Sequence, residues 1–349
     1  MNDQLLTATL EGSSLLKIVL LGVGGFLLSM ALTPLYTTVA YRWHLWKKPR
    51  TQTVTGTQAT VFMKLHGEKH KRHIPTMAGV IFITAVAILT LSANWSRAET
   101  WLPLAAFVGA AAVGLLDDII NLRGDGTGKA GLPSKLKFLL ITLVAAVAGW
   151  YFYYKLGFNS IQLPGLEHSL VLGWWIIPLF TLVVVATANA VNISDGLDGL
   201  AGGLTTIAFA TYTVIAVLEG KYGVAGFCAA MVGALMSYTW FNVFPARFFM
   251  GDVGSFALGT ALGVIAMYTD TVLLLPIIGF VFVAEAGSVI LQIASKKLRN
   301  GKKIFRISPI HHHFEAIGWP EAKVTMRFWV IGQTAALVGL ALFVMGRYG

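Results

Sequence analysis

Along most of this chain the apolar positions follow one another without alternation. Runs of about 20 residues carry almost no charge and are separated by short polar connections. Such runs predict membrane-spanning helices, whereas barrel strands would alternate apolar and polar positions. Ten segments fit the pattern, at about 16–41, 76–94, 101–118, 136–156, 173–192, 200–218, 222–240, 254–269, 271–295 and 326–346. The expected fold is an all-α integral membrane protein, with one polytopic transmembrane domain over residues 1–349. No low-complexity stretch, soluble domain or convincing internal repeat interrupts it. The first apolar run is long and lacks a small-residue cleavage site, so it reads as a retained helix.

Composition and charge sharpen this picture. The chain is 56% hydrophobic and only 12% charged, with a mean hydropathy of +0.71. A soluble domain carries about a quarter charged residues. Of the 26 Lys and Arg residues, 21 fall in the connections after the first, third, fifth, seventh and ninth segments. Basic connections stay in the cytoplasm, which predicts both termini outside. The net charge of +10 then reflects topology and attraction to anionic membrane lipid. Nucleic-acid binding is excluded as a poor reading, because the charge is divided among connections between spans. The lone Cys228 lies mid-helix and reads as a small core residue.

The polar residues then collect on one side. In GLLDDII, Gly114 to Ile120, two adjacent carboxylates close an apolar segment. Asp117 and Asp118 repel each other, and a low dielectric penalises both, so a cation must lie near them. On the same expected face lie Asp125, Asp195, Asp198, Asp252, Lys71, Asn189, Asn192, Asn242 and the run His311-His312-His313. This predicts an active-site cleft at the cytoplasmic surface.

In ANAVNISDGLDGLAGG, Ala188 to Gly203, Asn189, Asn192, Asp195 and Asp198 recur every third residue. On a regular helix that stripe drifts by about 60° per step, so the four cannot meet at one point. Capping of the flanking helices is the bland alternative, and four such side chains exceed what capping needs. Asp252 in FMGDVGS has the position of an ordinary N-cap when taken alone. Taken with Asp117 and Asp118, it supplies a third acid of the kind that holds Mg²⁺ beside phosphate oxygens. In PIHHHFE the three histidines lack the spacing of a zinc site, and read as a loop that contacts phosphate or moves protons. Glu285 is an intramembrane acid; a hydrogen bond to Ser288 or Gln292 accounts for it as well as a function does.

Taken in order, PTMAG, LLDD, NAVNISDGLDGLAGG, WFNVFPARFFMGDVGS and SPIHHHFEAIGWPEAKVTMRFW resemble the phospho-N-acetylmuramoyl-pentapeptide transferase family. The acid pair and NISDGLDGL are shared with the wider polyprenyl-phosphate N-acetylhexosamine-1-phosphate transferases, and PIHHHFE with GWPE is the narrower signature. The resemblance implies transfer of a phospho-sugar from UDP-N-acetylmuramoyl-pentapeptide to undecaprenyl phosphate. The products are lipid I and UMP, Mg²⁺ is required, and the step belongs to peptidoglycan synthesis. It further implies Asp117, Asp118, Asp252, His311, His312 and His313 as catalytic residues. Lys71, Asn189, Asn192, Asp195, Asp198, Asn242 and Phe249 would bind substrate, Phe249 by stacking on uracil. Asp252 and Asn189, with Asp117 and Asp118, would form the metal set.

Two chemical routes stay open at this level: direct attack by the lipid phosphate, with Asp117 as base, and a carboxylate nucleophile. Direct attack is favoured, because a metal-bound carboxylate is a weak nucleophile. The apolar helix surfaces are compatible with a homodimer.

The chain departs from the family pattern in three places. Asn121 stands where Lys is usual, with Arg123 and Lys129 nearby as substitutes; KRHI precedes Pro75 where Lys, a variable residue and Gly-Thr are usual; and Ala78 replaces a glycine. The glycine-rich GDGTGKAG lacks the spacing of a phosphate-binding loop. The rivals are an N-acetylglucosamine-1-phosphate transferase, against which PIHHHFE counts, a membrane transporter and an inactive homologue. A transporter's acids would be spread through the depth of the membrane. An inactive homologue would not need all three acids.

Overall fold

The computed structural model describes residues 2–46, 73–123, 131–163 and 169–348. Helix dominates these residues. In chain order they are α1 (Asn2–Arg42), α2 (Gly79–Ala93), α3 (Trp101–Arg123), α4 (Ser134–Tyr154), α5 (Ile176–Ser194), α6 (Leu200–Leu218) and α7 (Tyr222–Asn242). There follow α8 (Gly251–Tyr268), the short α9 (Leu275–Ile278), α10 (Phe280–Leu298), the short α11 (Ile310–Ala316) and α12 (Glu321–Tyr348). A small antiparallel hairpin, β1 (Ser160–Gln162) with β2 (Ser169–Val171), joins α4 to α5, with Ser160 opposite Val171.

Each expected apolar segment contains a helix, and eight helices are long and apolar enough to cross a membrane. α2 is shorter, at 15 residues. The segment expected at 271–295 is broken. Pro276 has no N–H to donate backward, Gly279 leaves the helical region at φ −96° and ψ 28°, and α10 starts afresh at Phe280.

α8 shows how sequence sets position. Every residue in it except Asp252 is buried. A helix that is apolar all round belongs in the middle of a bundle, and α3 and α5 flank this one. The rim is the reverse: Leu139, Leu143 and Val147 of α4 and Val330 and Leu337 of α12 are exposed. In lipid such faces are at no disadvantage, and helices associate instead through close packing and small residues. Gly114 is an instance, since a Cβ there would lie 2.2 Å from the Asp252 carbonyl oxygen. Its absence lets α3 reach the start of α8.

The extended stretch before α2 fixes the same place. Phe249 N–H donates to the Pro75 carbonyl at 2.8 Å, and the Ala78 and Gly79 N–H groups donate to Phe249 and Met250 at 2.9 and 3.0 Å. PTMAG thus pins the segment that leads into Asp252.

Candidate active site

Asp117 and Asp118 lie on the last turns of α3, both 0% exposed. Successive helical residues point about 100° apart, so the two carboxylates find different partners. Asp118 Oδ2 accepts the Val253 N–H, 3.0 Å away, in the first turn of α8. A helix N-terminus favours an anion there. Asp117 turns toward α4. Its Oδ1 accepts the Leu132 N–H at 2.7 Å, and its Oδ2 accepts from Asn121 Nδ2 at 2.8 Å and Lys137 Nζ at 2.9 Å.

Lys137, in the first turn of α4, is the cation that the acid pair demands. Its ammonium also lies 2.6 Å from Asp252 Oδ2, bridging α3 and α8. Carboxylate oxygens of Asp117, Asp118 and Asp252 fall within 4.8 Å of one another. Lys137 thus bridges two of three carboxylates that converge on one point. Asp252 sits inside the first turn of α8 and does not cap it; Met250 holds the cap position. Its Oδ1 accepts from Asn192 Nδ2 at 3.3 Å, and Asn192 also donates to Ser255 Oγ at 2.8 Å. Gly251 holds φ +74°, and a Cβ on it would come 2.4 Å from Asp118 Oδ2.

The other expected residues separate into groups. Asn189 donates back to the Val185 carbonyl of its own helix at 2.8 Å. α5 ends at Ser194, so Asp195 and Asp198 lie in the turn before α6. Asp198 is buried, with Oδ2 accepting the Ala246 N–H at 2.9 Å and its own N–H donating to Glu321 Oε1 at 2.7 Å. Asn242 is also buried and joins Gly199 N–H to the Phe248 carbonyl. These two side chains tie the α5–α6 and α7–α8 connections together. Phe249 is half-buried. Lys71, Asp125 and Lys129 lie outside the described residues.

The histidines do not form the loop expected of them. They occupy α11, where 100° steps send each to a different partner. His311 Nδ1 is 2.8 Å from Glu285 Oε2, and both side chains are buried. His312 Nδ1 meets Glu315 Oε2 at 2.7 Å, and His313 Nδ1 accepts the Arg306 N–H at 3.2 Å. Glu285 therefore pairs with His311. Ser288 bonds the Glu285 carbonyl oxygen, and Gln292 holds Ile304 and Phe305.

Sequence reasoning missed Lys137, Ser255, Glu315 and Glu321. For Lys137 there was a signal: the acid pair required a cation. SKLKF at the start of α4 offers two, which had counted only toward topology.

A family model described as glycosyl transferase family 4 matches residues 100–270, which contain the acid pair, Lys137 and Asp252. Among curated proteins, the phospho-N-acetylmuramoyl-pentapeptide-transferase of Geobacillus thermodenitrificans (strain NG80-2) is 42% identical over 275 residues, covering 77% of this chain and 84% of its own. That of Syntrophus aciditrophicus (strain SB) is 42% identical over 289 residues, covering 78% and 80%. That of Chloroflexus aurantiacus (strain ATCC 29366 / DSM 635 / J-10-fl) is 40% identical over 286 residues, covering 77% and 76%. At about 40% identity over more than three quarters of its length, the chain belongs to the phospho-N-acetylmuramoyl-pentapeptide-transferase family.

Proposed function

We propose that the chain transfers phospho-N-acetylmuramoyl-pentapeptide from its UDP-linked donor to undecaprenyl phosphate, giving lipid I and UMP. The observation that carries this reading is the cluster of Asp117, Asp118 and Asp252 around Lys137, at helix ends beside lipid-facing surfaces. One substrate is a membrane lipid and the other a water-soluble nucleotide, so chemistry at a membrane boundary suits both. The clustering of Lys and Arg in alternate connections supports a cytoplasmic boundary, with ten spans and both termini outside.

The donor set fits Mg²⁺. It consists of hard carboxylate oxygens lying within 4.8 Å of one another, and Mg²⁺ takes one or two carboxylates together with substrate phosphates. Asp117, Asp118 and Asp252 would hold it. When bound, Mg²⁺ neutralises diphosphate charge and stabilises the departing UMP. Lys137 keeps Asp117 and Asp252 turned toward each other, and Asn192 orients Asp252.

An oxygen of the lipid phosphate attacks the β-phosphorus of the donor, and the bond from that phosphorus to the bridging oxygen of UMP breaks. Asp117 takes any proton that the lipid phosphate still carries. Direct attack is preferred over a carboxylate nucleophile, because Asp252 accepts hydrogen bonds from both Lys137 and Asn192, which lowers its nucleophilicity. Asp198 and Asn242 act by holding the connections around the nucleotide, with Phe249 and Lys71 contacting it.

The test supplies undecaprenyl phosphate and Mg²⁺ with either UDP-N-acetylmuramoyl-pentapeptide or UDP-N-acetylglucosamine, and follows UMP. Release from the muramoyl donor alone is expected. Release from the glucosamine donor alone would assign the chain to the sister transferases.

A further inference from the structure

Between α1 and the connection after α7 runs a groove that the acid site does not use. Met30, Pro34, Thr37 and Tyr41 share one face of α1, and Phe241 and Arg247 stand opposite, around a cavity of about 590 Å³. Tyr36 points to another side of α1. Its hydroxyl donates to the Thr76 carbonyl at 2.5 Å, and its ring meets Phe248 edge-on. Phe248 thus forms a wall of the groove, which none of Asp117, Asp118 and Asp252 lines.

Its depth and its polar end point to one kind of occupant. From Met30 to Tyr41 the helix rises roughly 16 Å, about half of a hydrocarbon core, which is one leaflet. At the end where α1 finishes, Tyr41 and Trp43 are exposed, as aromatic residues are at headgroup level. Arg247 is exposed at the same end, and among the described residues no carboxylate pairs with it. An apolar slot one leaflet deep, closed by a guanidinium and a phenol, matches a lipid with a phosphate head. A polyprenyl chain is much longer than such a slot.

We propose that this groove holds one anionic phospholipid of the adjoining leaflet. An acyl chain lies along Met30, Pro34 and Phe241, and the phosphate is bound by Arg247, whose planar fork suits phosphate oxygens. The proposal stands independently of the transferase reading.

It is tested on the full chain in phosphatidylcholine nanodiscs containing phosphatidylglycerol, with retained lipid counted by native mass spectrometry. The wild-type chain is expected to keep one phosphatidylglycerol in preference to phosphatidylcholine. Arg247→Gln should bind it about fivefold more weakly, and Arg247→Lys should keep most of the affinity. Thr37→Trp fills the slot while leaving the charge, and should displace the lipid. Arg247 is exposed, so its variants should unfold at the wild-type temperature, which a thermal scan checks. Undiminished binding in Arg247→Gln or Thr37→Trp would overturn the proposal. So would equal retention of phosphatidylcholine.

Discussion

Asp252 and Asp270 mark opposite ends of α8, roughly 27 Å apart along the helix, and the ion clusters around them differ in kind. Near Asp270, Glu219 lies 2.8 Å from Lys221 and 3.9 Å from Arg347, while Asp270 accepts the Gln162 N–H at 2.8 Å. Two acids face two cations, and the whole fastens β1, α6, α7 and α12. Around Asp252, oxygens of three carboxylates converge within 4.8 Å, and Lys137 bridges Asp117 and Asp252. A balanced cluster contributes to structure. A cluster in which three carboxylates converge raises the local affinity for a cation, and such sites are where ligands and chemistry collect. Buried carboxylates alone do not mark a candidate site; the convergence of three of them within 4.8 Å does.

The comparison breaks if the two clusters respond alike to substitution. Asp252→Asn should lower UMP release by about 10²-fold or more, since it removes charge next to the transferring phosphoryl group. Glu219→Gln should leave that rate within about twofold and lower the melting temperature instead. The Asp252 result sinks the distinction if it resembles Glu219→Gln.

Lys137→Gln sharpens the same point. It leaves Asp117 and Asp252 without their shared ammonium, so both activity and melting temperature should fall. Adding Mg²⁺ should raise the melting temperature of this variant more than that of the wild type. Equal Mg²⁺ shifts would mean that the acids do not respond to cations as a unit. A backbone change comes next: Gly251→Ala should destabilise by about 1–3 kcal/mol, from its positive φ and the approach of Asp118. Chemical denaturation measures it, with Gly301→Ala, which has open space, as the comparison.

The smallest effect is expected at the far cluster. Burial raises the Glu219 carboxyl above its ordinary range, although Lys221 and Arg347 oppose this, and burial raises Asp270 likewise. An acid raised on folding binds more protons folded than unfolded, so its stabilising share is full below the ordinary carboxylate range. That share is lost as pH rises through the elevated value. The melting temperature should therefore fall slightly on going from acid to neutral pH, and Glu219→Gln should flatten that slope.

How legible was this in the sequence? The helices were, because unbroken apolar runs of this length have no other stable form in lipid. Asp117, Asp118 and Asp252 were also legible, because carboxylates are costly beside apolar segments and so stand out. Their partner was not. Lys137 looks like any basic residue at a helix start, and only the packing of α3, α4 and α8 shows that it bridges two acids. Glu285 and His311 are 26 residues apart, beyond any periodic signal, and shorter-range partners for Glu285 were at hand. The break at Gly279 was hidden because its flanks are apolar on both sides. That Asp198 and Asn242 also tie connections together was not legible, because their partners Ala246 and Phe248 are backbone groups brought near only by packing.

The most direct measurement is UMP release from UDP-N-acetylmuramoyl-pentapeptide and undecaprenyl phosphate during an Mg²⁺ titration after chelation. It would be run on the wild type, Asp252→Asn and Glu219→Gln. The account expects activity to appear with Mg²⁺ in the wild type and Glu219→Gln, and to stay absent in Asp252→Asn. Full activity without divalent cation, or an Asp252→Asn response matching the wild type, would contradict it.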